Sequence, residues 1–507
     1  VIRTRGRLER LSSGRDNCGE AKAVIMTRQL RATVGICAVA LWIVSATGCA
    51  TNPVTGKREL ALISEAQEIE MGREADKEVA ASFGFYQDDA LQQYVHALGT
   101  RLAARTERPN LPWTFRVVDD AAVNAFAIPG GFVYVTRGIM THLNSEAELA
   151  GILGHEIGHV TARHSVNQLS RQALAQGLLM TGIALSPKFA QFGNLAQTAM
   201  GLMFMKFSRT DESQADALGL KYMMAGGYNP RELVDVFAML QALTQQEGAG
   251  RLPQWMSTHP DPENRLAWAE RTVAGLQTDL SRLAVNRPEY LRRLDGVMFG
   301  ENPREGYFQG AVFHHPDMAF HMNFPEGWKG SNEKQAVGAM SPDEDAVVVL
   351  QLAQGTSAQQ AAQQFLSQQG VEAGDTSRRQ IGGFPAVVAT FRGQTEGGTV
   401  LGQAGWVEYQ QRVFQILGYT PEAKWNQYSR AFNASMTSFA RETDPAVLNV
   451  KPRRLSIVSL NRPETFEALM RDYPSTVDAK VVALINNLQG TSRLAAGDRF
   501  KRVVGGQ

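Results

Sequence analysis

The sequence predicts an α+β protein of several domains: a helical part first, a strand-rich part after it, and a small mixed module last. Three observations carry that expectation. Apolar residues recur at helical spacing through Leu149, Ile152, Leu153 and Ile157, which sets one face of a helix against a core. Residues 295–305 are rich in Gly, Asn and Pro and break the pattern, as a linker does. Beyond them, short apolar runs recur with strand-like texture around an Ala/Gln-rich helix at 357–369, which reads as a mostly antiparallel sheet.

The chain has 507 residues, room for two to four domains. Its net charge of +1 gives no general attraction to nucleic acid, and no nucleic-acid partner is expected. Residues 1–25 are arginine-rich and without pattern, and they read as a disordered or non-native leader. Met26 opens a coherent segment. Arg28 and Arg31 are basic, 32–45 is apolar, and Ala46-Thr47-Gly48-Cys49 resembles a bacterial lipobox. The apolar run is short for a spanning helix and suits a cleaved signal. Residues 26–48 are therefore expected to be a lipoprotein signal peptide, with Cys49 lipidated; ordinary signal-peptidase cleavage near Cys49 is the alternative. Ala46 departs from the leucine that lipoboxes favour. The three cysteines, Cys18, Cys37 and Cys49, show no metal-type spacing. A chain starting at Cys49 has no second cysteine for a disulfide. That suits the periplasm of a Gram-negative cell, and Ala50 in place of aspartate after Cys49 points to the outer membrane. The acyl chains would anchor the protein without a spanning helix.

The densest chemistry lies at His155-Glu156-Ile157-Gly158-His159. Residues four apart share a helix face, so both imidazoles can reach one metal ion. Glu156 beside them can take a proton from water. Ser145 and Glu148 look like a capping box that starts this helix. Gly158 is a poor helix former and argues for close approach of another element. A zinc hydrolase needs a third protein ligand. His164 sits about 140° around a continuous helix from His159, and is rejected as that ligand. Glu212 and Asp216, four apart on a second expected helix, are better placed: one to bind metal, the other to support a histidine. Acidic residues at this spacing otherwise form a solvated face.

Taken together, His155-Glu156-x-x-His159 and Glu212-x-x-Ala215-Asp216 resemble the glutamate-ligand zincins of the HtpX, Oma and CaaX-prenyl-endopeptidase family, especially its soluble periplasmic BepA-like branch. Asn124-Ala125-Phe126-Ala127 with Pro129-Gly130-Gly131, Gly227-Tyr228-Asn229-Pro230, and Ser257-Thr258-His259-Pro260 with Arg265 follow in the family's order, over residues 52–275. The resemblance implies a mainly helical metalloprotease domain at 49–294 with a small sheet lining the cleft. It implies one Zn2+ per chain, held by His155, His159 and Glu212. Glu156 would be the general base. His259 would stabilise the oxyanion or occupy the open coordination position at rest. Arg265 would act with Asp216 or Glu212, or on the oxyanion. Asn124, Ala125 and Phe126 would line the substrate cleft. Apolar runs at 173–185 and 189–207 are shorter than the spanning helices of integral relatives and are interrupted by polar residues; they read as amphipathic helices.

A linker is expected at 295–306 and an α+β domain of open role at 307–445. Within it strands are expected near 318–324, 346–352, 384–391, 400–409 and 412–417, and a helix at 425–439. His314 and His315 read as a polar loop. Residues 450–507 resemble a diverged LysM module, although Arg462-Pro463-Glu464-Thr465 stands in place of its usual opening. The expected function is a periplasmic zinc endopeptidase acting on misfolded or unassembled envelope proteins. Two alternatives remain open: a chaperone-like binding protein with a closed zinc site, and a peptidoglycan-associated hydrolase.

Overall fold

The computed structural model of the chain describes residues 49–175, 201, 205–245, 255, 258, 259, 262–395 and 398–506. The expected signal segment and most of the two apolar runs lie outside them. No helix among the described residues is long and apolar enough to cross a membrane.

Two short strands, β1 (Cys49–Thr51) and β2 (Arg58–Leu60), pair antiparallel ahead of helices α1 (Glu65–Phe83) and α2 (Asp89–Ala103). A three-stranded sheet follows in the order β3-β5-β4, from β3 (Thr114–Val118), β4 (Ala125–Ile128) and β5 (Phe132–Thr136). β5 runs parallel to β3 and antiparallel to β4, so β4 forms an edge. Then come helices α3 (Arg137–His142), α4 (Glu146–Thr161), α5 (His164–Ala175), α6 (Arg209–Ala225), α7 (Arg231–Gln245), α8 (Pro262–Ala274) and α9 (Arg287–Arg293).

Helix α4 is the axis of this part, and all of its residues are buried. Ser145 caps it by accepting from the Glu148 backbone N–H at 3.0 Å. The reciprocal half of the expected capping box is displaced by one residue, because Glu148 accepts from the Asn144 N–H. Its apolar residues Leu149, Ile152, Leu153 and Ile157 join one core with Leu91 and Val95 of α2, Val133 and Val135 of β5, and Val236 and Leu240 of α7.

Burying so many polar groups requires partners. At the C-terminal end of α4, Arg108 donates to the Val160 carbonyl at 2.9 Å and to both oxygens of Glu68 at 2.9 and 3.0 Å. Arg163 donates to Glu68 as well, at 2.9 Å. Arg108→Ala removes the principal counter-charge of a carboxylate that is 1% exposed. The expected cost is about 3–5 kcal/mol, to be read from urea unfolding; a change under about 1 kcal/mol would show that Arg163 alone suffices.

The middle part holds a seven-stranded antiparallel sheet and a four-stranded sheet. The sheets use β6 (Tyr307–Gln309), β7 (Val312–His315), β8 (Phe320–Asn323), β9 (Lys329–Asn332), β10 (Ala336–Met340), β11 (Val347–Leu352), β12 (Val371–Ile381), β13 (Phe384–Thr395), β14 (Gly398–Tyr409), β15 (Arg412–Pro421) and β16 (Ala440–Arg441). Helices α10 (Ala358–Leu366) and α11 (Trp425–Thr437) stand close to the expected ones. One expectation is corrected: His314 and His315 belong to strand β7, and His314 Nδ1 lies 2.6 Å from Glu442 Oε2. The ladder with β8 and that carboxylate give the polar pair its place in a sheet.

The C-terminal module runs through α12 (Pro445–Leu448), β17 (Arg453–Ser459), β18 (Glu464–Thr465), α13 (Phe466–Asp472), α14 (Ala479–Ile485), β19 (Arg493–Leu494) and β20 (Arg499–Gly505). β17 and β20 pair antiparallel. Residues 295–299 lie along β17, with Leu455 N donating to Val297 O at 2.8 Å and Phe299 N to Arg453 O at 2.8 Å. Leu455, Ile485 and Val503 of the module enter the same core as α4. The fully buried Lys501 reaches across to donate to the carbonyls of Thr141 (3.1 Å) and Leu143 (2.7 Å), at the end of α3.

Candidate metal centre

Helices α4 and α6 cross with their backbones in contact. A methyl at Gly158 would lie 3.1 Å from Ala215 O, and one at Gly154 would lie 2.9 Å from Gly219 O. The approach expected at Gly158 is thus α6. It brings the two histidines of one helix onto the two carboxylates of the other.

Four buried side chains meet there: His155, His159, Glu212 and His259 each offer one ligand atom, all within 4.8 Å of one another. The Nε2 atoms of His155 and His159 are 3.1 Å apart. Glu212 oxygens lie 3.7 Å from the first and 3.5 Å from the second. His259 Nδ1 stands 3.3 Å from His155 Nε2 and 3.0 Å from Glu212 Oε1. The Nδ1 atoms of both ligand histidines face other partners. Two lone pairs therefore oppose each other across 3.1 Å if those Nδ1 atoms carry the protons, and a cation between them resolves the conflict. Burial and the neighbouring imidazoles hold His159 well below the usual histidine range, so it stays neutral and able to ligate. The donor set fits a metal ion.

Around it the supports are charged. Asp216 Oδ1 accepts from His155 Nδ1 at 2.9 Å, and Arg265 grips Asp216 at 2.8 and 2.5 Å. Burial opposes ionisation of Asp216, but Arg265 and His155 outweigh it and hold the carboxyl below its ordinary range. Arg265 Nη1 is 3.3 Å from Glu212, and its guanidinium lies between the rings of Trp255 (4.5 Å) and Phe237 (4.6 Å). Glu156 is 1% exposed, with its Oε1 3.6 Å from His259 Nε2 and without a hydrogen-bond partner among the described residues. For His259, burial acts to lower its pKa, yet Glu212 and Glu156 raise it above the ordinary value.

Residues 89–273 match the family described as Peptidase family M48. This segment is a peptidase M48 domain. The chain is similar to the beta-barrel assembly-enhancing protease of Escherichia coli, at 30% identity over 227 residues, 43% of this chain and 46% of that protein. It is also similar to the mitochondrial metalloendopeptidase OMA1 of Arabidopsis thaliana, at 33% identity over 168 residues, 32% of each chain. The Danio rerio metalloendopeptidase OMA1 is 28% identical over 268 residues, 50% of this chain and 56% of that protein. The chain thus spans about half the length of the first of these relatives.

Within the M48 domain, Asn124 ends the loop before edge strand β4, and Ala125 and Phe126 begin that strand. The Phe126 ring is turned into a core and stacks on Tyr134 at 4.8 Å. Among the described residues no further strand pairs with the outer edge of β4. Trp255 N donates to Val123 O at 3.4 Å, which seats Trp255 beside the residues that lead into that strand. Two aromatic neighbours had no signal in the sequence: Phe207 stacks on His159 at 4.1 Å, and Trp255 lies 4.7 Å from the His259 ring. Ser257 and Pro260 lie outside the described residues. Cys49 opens β1, opposite Leu60.

Proposed function

We propose that the M48 domain is a zinc endopeptidase that cleaves misfolded or unassembled proteins of the bacterial envelope. One observation carries this reading: a base, Glu156, is buried with a free carboxylate oxygen beside a converging His155–His159–Glu212 donor set. A structural metal site needs no such base. The donor atoms of His155, His159 and Glu212 lie 3.1 to 3.7 Å from one another, close enough to share one metal ion. Held by His155, His159 and Glu212, Zn2+ would supply Lewis acidity and lower the pKa of water at the site. Glu156 takes the proton from the attacking water and returns it to the leaving amine. His259, beside Glu156 and Glu212, would stabilise the developing oxyanion as a donor. Arg265 holds Asp216 and Glu212 in place. An extended substrate adds as a strand at Asn124, Ala125 and Phe126, through backbone bonds with low sequence preference.

The chemistry of the relatives supports protein substrates, and the beta-barrel assembly-enhancing protease supports an envelope setting. Lipidation at Cys49 would hold the protein at the outer membrane on its periplasmic side. The strand–helix–helix–strand order of 450–506 supports a LysM-like module, for which peptidoglycan is the corresponding partner. A second reading rests on His259: as fourth donor it closes the site, and closed sites are structural by default. In that reading the chain is a chaperone-like binder.

A soluble form beginning after Cys49, with and without Glu156→Gln, separates the two. One zinc in both, with casein cleavage only in the parent and at least about 10²-fold lost in the variant, is the expected result. One zinc in both and cleavage in neither favours the binder; cleavage unchanged in the variant sinks the assigned mechanism.

A further inference from the structure

The M48 domain contains another histidine that the reaction does not use. Helix α4 stops at Thr161, and Arg163 takes a left-handed φ of 59° before α5 begins at His164. A non-glycine residue keeps such a strained φ only where its surroundings hold it there. Here Arg163 is fixed by bonds to Glu68 (2.9 Å) and to the Ile63 carbonyl (2.8 Å). The break in the helix turns His164 back toward the site. It is 4% exposed, and its Nδ1 lies 3.0 Å from His159 Nδ1. Its Nε2 lies 3.0 Å from Gln214 Oε1, on the helix that carries Glu212.

We propose that His164 is a positioning residue that fixes the tautomer and ring orientation of the metal ligand His159, through a relay that ends on Gln214. The proton count allows one assignment. His159 turns its Nε2 toward His155 and Glu212; when that nitrogen ligates, the hydrogen sits on Nδ1 and needs an acceptor. His164 Nδ1 accepts it, so His164 carries its own hydrogen on Nε2. The Gln214 amide oxygen accepts that one. The two ligand histidines are thus supported differently: His155 by the carboxylate of Asp216, His159 by a neutral imidazole. With His164 and His259 both neutral, the charges of Glu156, Glu212, Asp216 and Arg265 sum to −2, which one divalent ion cancels. A carboxylate in place of His164 would leave the buried site with an excess negative charge.

This inference rests on the proposed zinc site, and the test keeps the two apart. Zinc affinity is measured by chelator competition on the full chain, for the parent, His164→Phe, His164→Asn and Gln214→Leu, with thermal melts of each metal-free protein. Phe keeps the ring without an acceptor, and Asn restores an oxygen near the Nδ1 position. His164→Phe is expected to bind zinc about 10–100-fold more weakly, with the metal-free melt little changed, and His164→Asn to regain most of the loss. Gln214→Leu should weaken binding in the same direction by less, and it keeps the test open if the Phe variant fails to fold. Phe binding as tightly as the parent, or Asn binding as weakly as Phe, overturns the relay. A parent that binds no zinc overturns the proposed function and this inference together.

Discussion

Gly219→Val is expected to strip the protein of its metal while leaving it folded. A Cβ at Gly219 would meet the His155 backbone nitrogen at 2.9 Å and the Gly154 carbonyl carbon at 3.2 Å. These contacts are backbone, so no rotamer change relieves them and α6 must move off α4. Overpacking of this kind costs about 1–3 kcal/mol, which a large domain survives. The site is less tolerant. Asp216 and Glu212 ride on α6, and the 2.9 Å bond from His155 to Asp216 spans the two helices. A shift approaching 1 Å at a catalytic constellation costs about 10²-fold in rate. Zinc content after dialysis and casein cleavage are the measurements, with Gly219→Ala as the milder case. A valine variant with full zinc and full activity would mean that the helix contact does not set the site.

Lys501→Met, far from the site in sequence, is expected to destabilise the protein by about 3–5 kcal/mol. The methionine fills the volume but leaves the Thr141 and Leu143 carbonyls without their donor. It also removes the positive charge that lowers the Glu148 pKa. Burial pushes the Glu148 carboxyl up to about 8, and it holds Lys501 well below the ordinary lysine range. A group whose folded pKa is raised contributes stability below its unfolded pKa and loses it as pH rises through the folded value. Glu148 therefore supports the fold in acid and less so toward pH 8, while Lys501 acts in the opposite sense. With Lys501 gone, unfolding free energy should fall more steeply between about pH 5 and pH 8 than in the parent. Urea titrations at the two ends of that range read it directly, and parallel curves would remove Lys501 from the account.

Where chemistry and local periodicity coincide, the sequence reads well. Helix α4 has a capping serine, an apolar stripe and two histidines four apart, and each of these is local information. Gly158 announced the crossing with α6 without naming it. Reading fails where a neighbour distant in sequence decides. β12 is exposed along nearly its whole length, and its polar residues give no period-two signal; it is a strand because β13 offers a ladder. Residues 295–299 carry linker punctuation, yet their backbone bonds go to Arg453 and Leu455. His164 was placed by assuming a continuous helix, and only the φ of Arg163, held by Glu68 and Ile63, moves it beside His159. Lys501 looks like any surface lysine until β20 carries it under α3.

The bond from Lys501 to Thr141 joins residues 360 positions apart. At 5–20 residues per second, a ribosome needs roughly 20 to 70 seconds to supply the later partner once the earlier one exists. Throughout that interval the start of the histidine-bearing helix lacks its lysine, and the core around it lacks Leu455, Ile485 and Val503. A nascent chain that ends before residue 501 therefore carries the histidine-bearing helix without these contacts. Completion of that helix's surroundings waits for residue 501, so the order of synthesis itself delays the finished site.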